Sequence, residues 1–223
     1  MDLMLVAIAL LAYQNPPKVP STLVAQKRSL GVWKASVNVP KLPVTPSGRA
    51  LVATASNEGA KAMTVWVGQT LQSLKTFKPA APLEYEVMPI YAYERGRIAS
   101  AVQLTFDWSG GAHPNTTYSI YNFWDAKPMK LADFFGPGYD GARQVSYLLL
   151  ERLVKNPQAM WLQDGTVHDL TPQQLEHFQV GPKGLTWTFG PYELGPYVSG
   201  TITQFLSAKD LGSQFRASML QGK

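Results

Sequence analysis

No cysteine occurs anywhere in the chain, which excludes disulfide staples, thiol nucleophiles and thiolate metal sites. Charge is sparse too: charged side chains make up 16% of the residues, and no basic run appears among them. Arg28, Arg49, Arg95, Arg143 and Arg216 fall in separate segments, so the net charge of +5 describes a scattered, mildly basic surface and not a nucleic-acid footprint. No apolar run reaches the about 20 residues that a helical membrane span needs. A Gly-x-Ser-x-Gly elbow, a phosphate loop, a dinucleotide fingerprint and a fixed-period repeat are all missing. What is present is a folded-protein composition, 45% hydrophobic over 223 residues, which is enough to bury a core without staples.

The one apolar run, Leu3 to Tyr13, has about the length of the hydrophobic region of a secretory signal. The polar Gln14-Asn15 and the extended Pro16-Pro17 follow it. Residues 1–15 are therefore expected to direct export, although Asp2 stands where a basic residue is usual; a buried N-terminal strand or helix is the alternative. A lipoprotein anchor is excluded by the lack of cysteine. Residues 16–32, with proline, lysine, serine and glutamine and little periodicity, read as a linker.

From Trp33 the pattern becomes that of one α+β domain extending to 223. Trp33 to Val39 alternates as a half-buried strand, and Arg49 to Leu74 is an alanine-rich helix weakened locally by Gly59 and Gly68; together they fill 33–82. The core, 83–215, begins with strands at Glu84 to Glu94, Ile98 to Trp108 and Thr116 to Trp124, the first two joined by a tight turn at Arg95-Gly96. A short helical piece at Leu131 to Phe135 and an amphipathic helix from Tyr139 to Lys155 follow. Thr171-Pro172 opens a helical turn, and strands close the core at Phe178–Val180, Leu185–Phe189 and Ser199–Leu206. The order predicts an antiparallel sheet, or sheets, with two main helices packed on one face.

Two loops stand out as candidate ligand-binding elements. In Gly110-Gly111-Ala112-His113-Pro114-Asn115, glycine and proline impose a defined shape, and His113 is either a ligand contact or a stiff connector bonded to backbone. In Phe189-Gly190-Pro191-Tyr192-Glu193-Leu194-Gly195-Pro196-Tyr197, two Gly-Pro pairs shape a rigid loop carrying two tyrosines and one carboxylate, Glu193; the tyrosines give contact area at little entropy cost. The predicted binding residues are Gly110, Gly111, His113, Pro114, Asn115, Tyr192, Glu193, Pro196 and Tyr197. No catalytic residue is assigned and no cofactor is implied. His168 and His177, with Asp164 and Asp169 nearby, fit no short metal-ligand spacing.

The stretch Asp107-Trp108-Ser109-Gly110-Gly111-Ala112-His113-Pro114-Asn115, the strand Tyr118 to Phe123 and Leu131-Ala132-Asp133-Phe134-Phe135 resemble a domain of unknown function. So do Gly184 to Phe189 and Pro191 to Tyr197. That domain forms the extracellular part of RsiV-type lysozyme-sensing anti-sigma factors and accompanies the catalytic domain of PdaC-type peptidoglycan deacetylases. The resemblance, covering about Trp33 to Leu211, implies an extracytoplasmic α+β domain binding at the cell envelope. The metal-binding Asp and His motifs of the deacetylase domain are missing here, so deacetylase activity does not transfer.

The expected function is thus that of an exported, periplasmic or secreted, non-catalytic domain. Its partner would be peptidoglycan or a wall-lytic, lysozyme-like protein, with no nucleic acid and no stable transmembrane span. A basic lysozyme-like partner would need an acidic patch, which Glu84, Glu86 and Glu94 could supply. The alternatives are a small envelope glycan hydrolase or deacetylase-related enzyme using His113 and a carboxylate, and a structural envelope protein.

Overall fold

The computed structural model of the chain describes residues 19–42 and 45–223; the apolar segment 1–15 and the start of the expected linker lie outside the described residues. A six-stranded sheet, a three-stranded sheet and four α-helices are formed among the described residues, two of the helices long. The fold class is the mixed α and β one that the pattern of elements predicts. The described residues divide into two compact units, one comprising 19–42, 52–92 and 102–119, the other 45–51, 93–101 and 120–223.

The first unit begins with β1 (Ser21–Ser29) and β2 (Trp33–Pro40), an antiparallel pair with a bulge between Leu23 and Ala25. Residues 21–29 were expected to be linker. They lack the alternation of a half-buried strand because nearly every β1 side chain is exposed, and their ladder to β2 defines them instead. After β2 the chain enters α1 (Pro46–Ser73) and returns in β3 (Leu83–Arg95). β2 and β3 pair parallel, from Trp33 opposite Leu83 to Val37 opposite Val87. This pair departs from the antiparallel pairing expected of the sheet: α1 supplies the long crossover that a parallel pair requires. Met63, Trp66 and Val67 of α1 are buried in one cluster with Trp33, Ala35, Val37, Leu83, Tyr85 and Val87.

A two-residue turn, Gly96-Arg97, leads into β4 (Ile98–Trp108), whose bounds agree with the sequence reading. Then come β5 (Asn115–Trp124) and the minimal β6 (Lys127–Pro128), completing the order β1-β2-β3-β4-β5-β6. The turn between β5 and β6 places Asp125 at φ 48 and Ala126 at φ 62, a left-handed pair that favours glycine. Arg97 fixes it: its Nε donates to Asp125 Oδ1 at 2.7 Å, and its carbonyl accepts the Asp125 N–H at 3.1 Å.

The second unit contains α2 (Gly141–Leu153), α3 (Met160–Gln163), α4 (Pro172–Leu175) and the three-stranded sheet β7 (Phe178–Gly181), β8 (Gly184–Phe189), β9 (Ile202–Ser207). Asp140 caps α2 by accepting the Arg143 N–H at 3.0 Å, and Val145, Leu149 and Leu153 form its wholly buried stripe. Thr171 and Gln174 make a reciprocal capping box on α4. The last strand starts at Ile202 rather than Ser199, because Tyr197–Ser199 is a 3-10 turn closed by Gly200 at φ 65. Phe134, Phe178, Trp187 and Phe189 are fully buried, each contributing about 2–3 kcal/mol by leaving water. The interior polar groups are satisfied as well: Ser100 donates to Asn122 Oδ1 at 2.7 Å and accepts the Val180 N–H, and Asn122 donates to the Phe178 carbonyl at 2.6 Å.

Candidate functional site: a polar cleft beside α1

Glu58, Lys61, Ala62, Val65, Trp66 and Gln69 each have another of the set three or four residues away, so they share one face of α1. Asn115, Thr117 and Ser119 recur every second residue on β5, and Thr105 and Asp107 do so on β4. Both sets line a cleft of about 560 Å³ in the first unit, together with Tyr85 of β3. The helix closes over the apolar β2–β3 side. Toward β5 it meets small polar side chains that offer no apolar surface to bury, and Val65 there stays 53% exposed.

Trp66 and Tyr85 stand where the apolar and polar sides join. Their ring centroids are 5.5 Å apart, and Trp33 meets Trp66 edge-on at 6.2 Å. The Trp66 indole N–H donates to Asp107 Oδ1 at 2.8 Å, and the Ser109 hydroxyl donates to the same oxygen at 2.6 Å. Two donors on Oδ1 fix the carboxylate and leave Oδ2 as an acceptor for a further donor. Burial, and then the charge of Asp107, raise the Tyr85 phenol above its ordinary value, against a smaller opposing effect from Thr105; Tyr85 remains a neutral donor. Two carboxylates and one ammonium line the cleft, so it does not suit a polyanion. It can grip a polar, nearly uncharged molecule through hydroxyls, amides and an aromatic edge.

The first predicted loop spans the gap between two members of this cleft, Asp107 and Asn115. Asn115 lines it directly; Gly110, Gly111, His113 and Pro114 do not. Gly110 takes φ 89, and a Cβ there would lie 2.9 Å from the Phe77 ring, so glycine lets the loop sit tight on its own unit. His113 Nδ1 lies 3.1 Å from the Pro114 carbonyl, the backbone-bonded arrangement of a stiff connector. No group of three or more metal-ligating side chains occurs among the described residues.

The second predicted loop belongs to the other unit. Tyr192 adopts φ 68, a strained conformation for a bulky residue, and is 53% exposed. Its ring packs 5.9 Å from that of Tyr197, whose phenol is raised by burial and then by Tyr192. Glu193 Oε1 accepts the Gly190 N–H at 3.0 Å, so the carboxylate shapes its own loop. Pro196 ends the loop by accepting the Ser199 N–H at 2.8 Å.

Sequence reading missed Trp66, Gln69, Tyr85, Thr105, Thr117 and Ser119 as site residues. The period-two polar run Asn115, Thr117, Ser119 was the available signal, since it marks a strand face that is not buried.

No curated protein matches the chain significantly. Among solved structures, a DUF3298 family member from Bacteroides fragilis superposes with a TM-score of 0.57 at 15% identity, over 94% of this chain and 100% of that one. A DUF3298 family protein from Pseudomonas aeruginosa gives 0.59 at 16% identity, over 88% and 94%. At these identities the likeness is one of fold. Residues 132–208 match the family model DUF3298, described as a protein of unknown function, a similarity that covers about a third of the chain.

Proposed function

We propose that the chain is an exported, non-catalytic domain that binds a cell-envelope glycan in the cleft beside α1. The observation that carries this reading is the cleft itself. An aromatic edge, amide and hydroxyl side chains on three elements, and one anchored carboxylate with an oxygen open to a further donor match the alternating apolar faces and hydroxyls of a sugar chain. The near balance of charge suits a largely neutral glycan backbone. Peptidoglycan is the envelope polymer with that chemistry, and export places the domain beside it.

A basic, lysozyme-like protein is less well supported. Lys34 pairs with Glu84 at 2.6 Å, and Glu94 bonds the Thr45 backbone N–H at 3.2 Å, so two of the three acids expected to make an acidic patch are engaged within the fold.

Retention of the full chain on purified, insoluble peptidoglycan tests the reading, with lysozyme-coated beads in parallel. Asn115→Ala combined with Thr117→Val should release the protein from the wall while leaving its unfolding midpoint in place, because both side chains are exposed. Equal retention of wild type and variant would refute the cleft, and retention on lysozyme alone would transfer the function to a protein partner. Export is tested separately by fusing residues 1–20 to a reporter that is active only outside the cytoplasm.

A further inference from the structure

The second unit has its own concavity, of about 600 Å³, which shares no lining residue with the cleft beside α1 and differs from it in chemistry. Its walls are aromatic and apolar: Trp124 at the end of β5, Phe135, Tyr139, Met129 and Met219. Tyr139 is held at both ends. Its ring stacks on Phe135 with centroids 5.8 Å apart, its hydroxyl donates to Gln144 Oε1 at 2.8 Å, and the ring remains 40% exposed. Phe135 is braced in turn by Phe215, edge-on at 5.7 Å. This wall is preformed, so a ligand lying against it would meet little ordering cost.

Lys127 and Arg216 line the same concavity. Arg216 bonds the Phe134 carbonyl through its backbone N–H at 2.7 Å, but its guanidinium makes no ion pair among the described residues. Asp125, the carboxylate that Lys127 feels electrostatically, is already engaged by Arg97. The acid lining the concavity, Asp133, accepts the Lys130 N–H at 2.8 Å and so serves its own 3-10 turn. Two exposed cations therefore adjoin an apolar, aromatic recess, with one carboxylate to balance them.

We propose that this recess binds a small organic anion, its flat apolar body against Trp124 and Tyr139 and its acidic group on Lys127 and Arg216. A guanidinium takes a carboxylate, sulfonate or phosphate in a forked pair, and a neighbouring ammonium adds charge without fixing geometry. The volume lies within the range of small-molecule sites. This site is independent of the glycan cleft and stands or falls without it.

The test uses the full chain and two fluorescent probes of similar ring system, 1-anilinonaphthalene-8-sulfonate and the uncharged N-phenyl-1-naphthylamine. The sulfonate should bind saturably, one per chain and about tenfold tighter than the neutral probe, a difference of about 1.4 kcal/mol. Lys127→Ala with Arg216→Ala should bring the two probes to the same affinity, with an unchanged circular dichroism spectrum as the check on folding. Lys78→Ala, which removes an exposed cation of the other unit outside both concavities, should leave both titrations as in wild type. Equal binding of the two probes by wild type, or tight sulfonate binding by the double variant, would overturn the proposal.

Discussion

The two units differ in what their large buried aromatic residues adjoin. In the first, Trp66 and Tyr85 lie at the border of an open cleft whose other side is hydroxyl and amide. In the second, Phe134, Phe178, Trp187 and Phe189 are closed inside, and the Trp187 N–H is satisfied by the Leu175 carbonyl at 2.9 Å. The family match, 132–208, lies wholly in the second unit, while every cleft residue from Glu58 to Ser119 lies outside it. The family-model match has therefore fallen on the unit with the larger buried core. An interior reports how a chain folds, and an open polar face reports what it meets.

That contrast can be broken most forcefully in the second unit. Trp187→Ala should cost about 3–5 kcal/mol, from lost burial and the cavity left behind, read as a lower denaturation midpoint. Gly195→Ala should cost about 1–3 kcal/mol by overpacking, since its Cβ would strike Ser199 Oγ and come within 2.8 Å of the Gln158 carbonyl. A smaller loss is expected for Asp210→Asn. The Arg152 guanidinium, then the Ser207 hydroxyl and N–H, hold the Asp210 carboxyl down at about 2 from an ordinary 3.8. A carboxyl whose folded value is depressed stabilises the fold above the unfolded value, and that contribution is lost as pH falls from about 4 to 2. The variant should therefore be less stable by about 1 kcal/mol at neutral pH, and the gap to wild type should narrow across that acid range. Ala126→Gly should work the other way and raise the melting temperature by about 1–2 °C, because glycine relieves the left-handed conformation at φ 62.

How much was legible in the sequence follows the same division. β4 could be read from Ile98 to Trp108 because an apolar start is followed by the alternation of Val102, Leu104, Phe106 and Trp108 with polar residues. α1 could be read from its alanines, and Gly59, apparently a weak point, is a packing requirement: a Cβ there would lie 2.6 Å from Val37 Cγ1. β1 could not be read, because an exposed edge strand carries no burial pattern and exists through pairing with β2. The parallel register of β2 and β3 was hidden too, being a property of the crossover rather than of either strand. At the site, glycine and proline showed that two loops have fixed shapes but not that they bind. Asn115 alone of the nine predicted residues lines the cleft. The others that line it, scattered over a helix and three strands, come together only when the first unit folds.

Trp66 and Trp187 provide the most direct test of that account, because their indole N–H groups report on the cleft and the core separately. In a nuclear magnetic resonance titration with soluble peptidoglycan fragments, the Trp66 indole resonance should shift saturably as its bond to Asp107 is perturbed, while that of Trp187 stays fixed. A Trp66 resonance that does not move, or that moves in step with Trp187, would contradict glycan binding in the cleft.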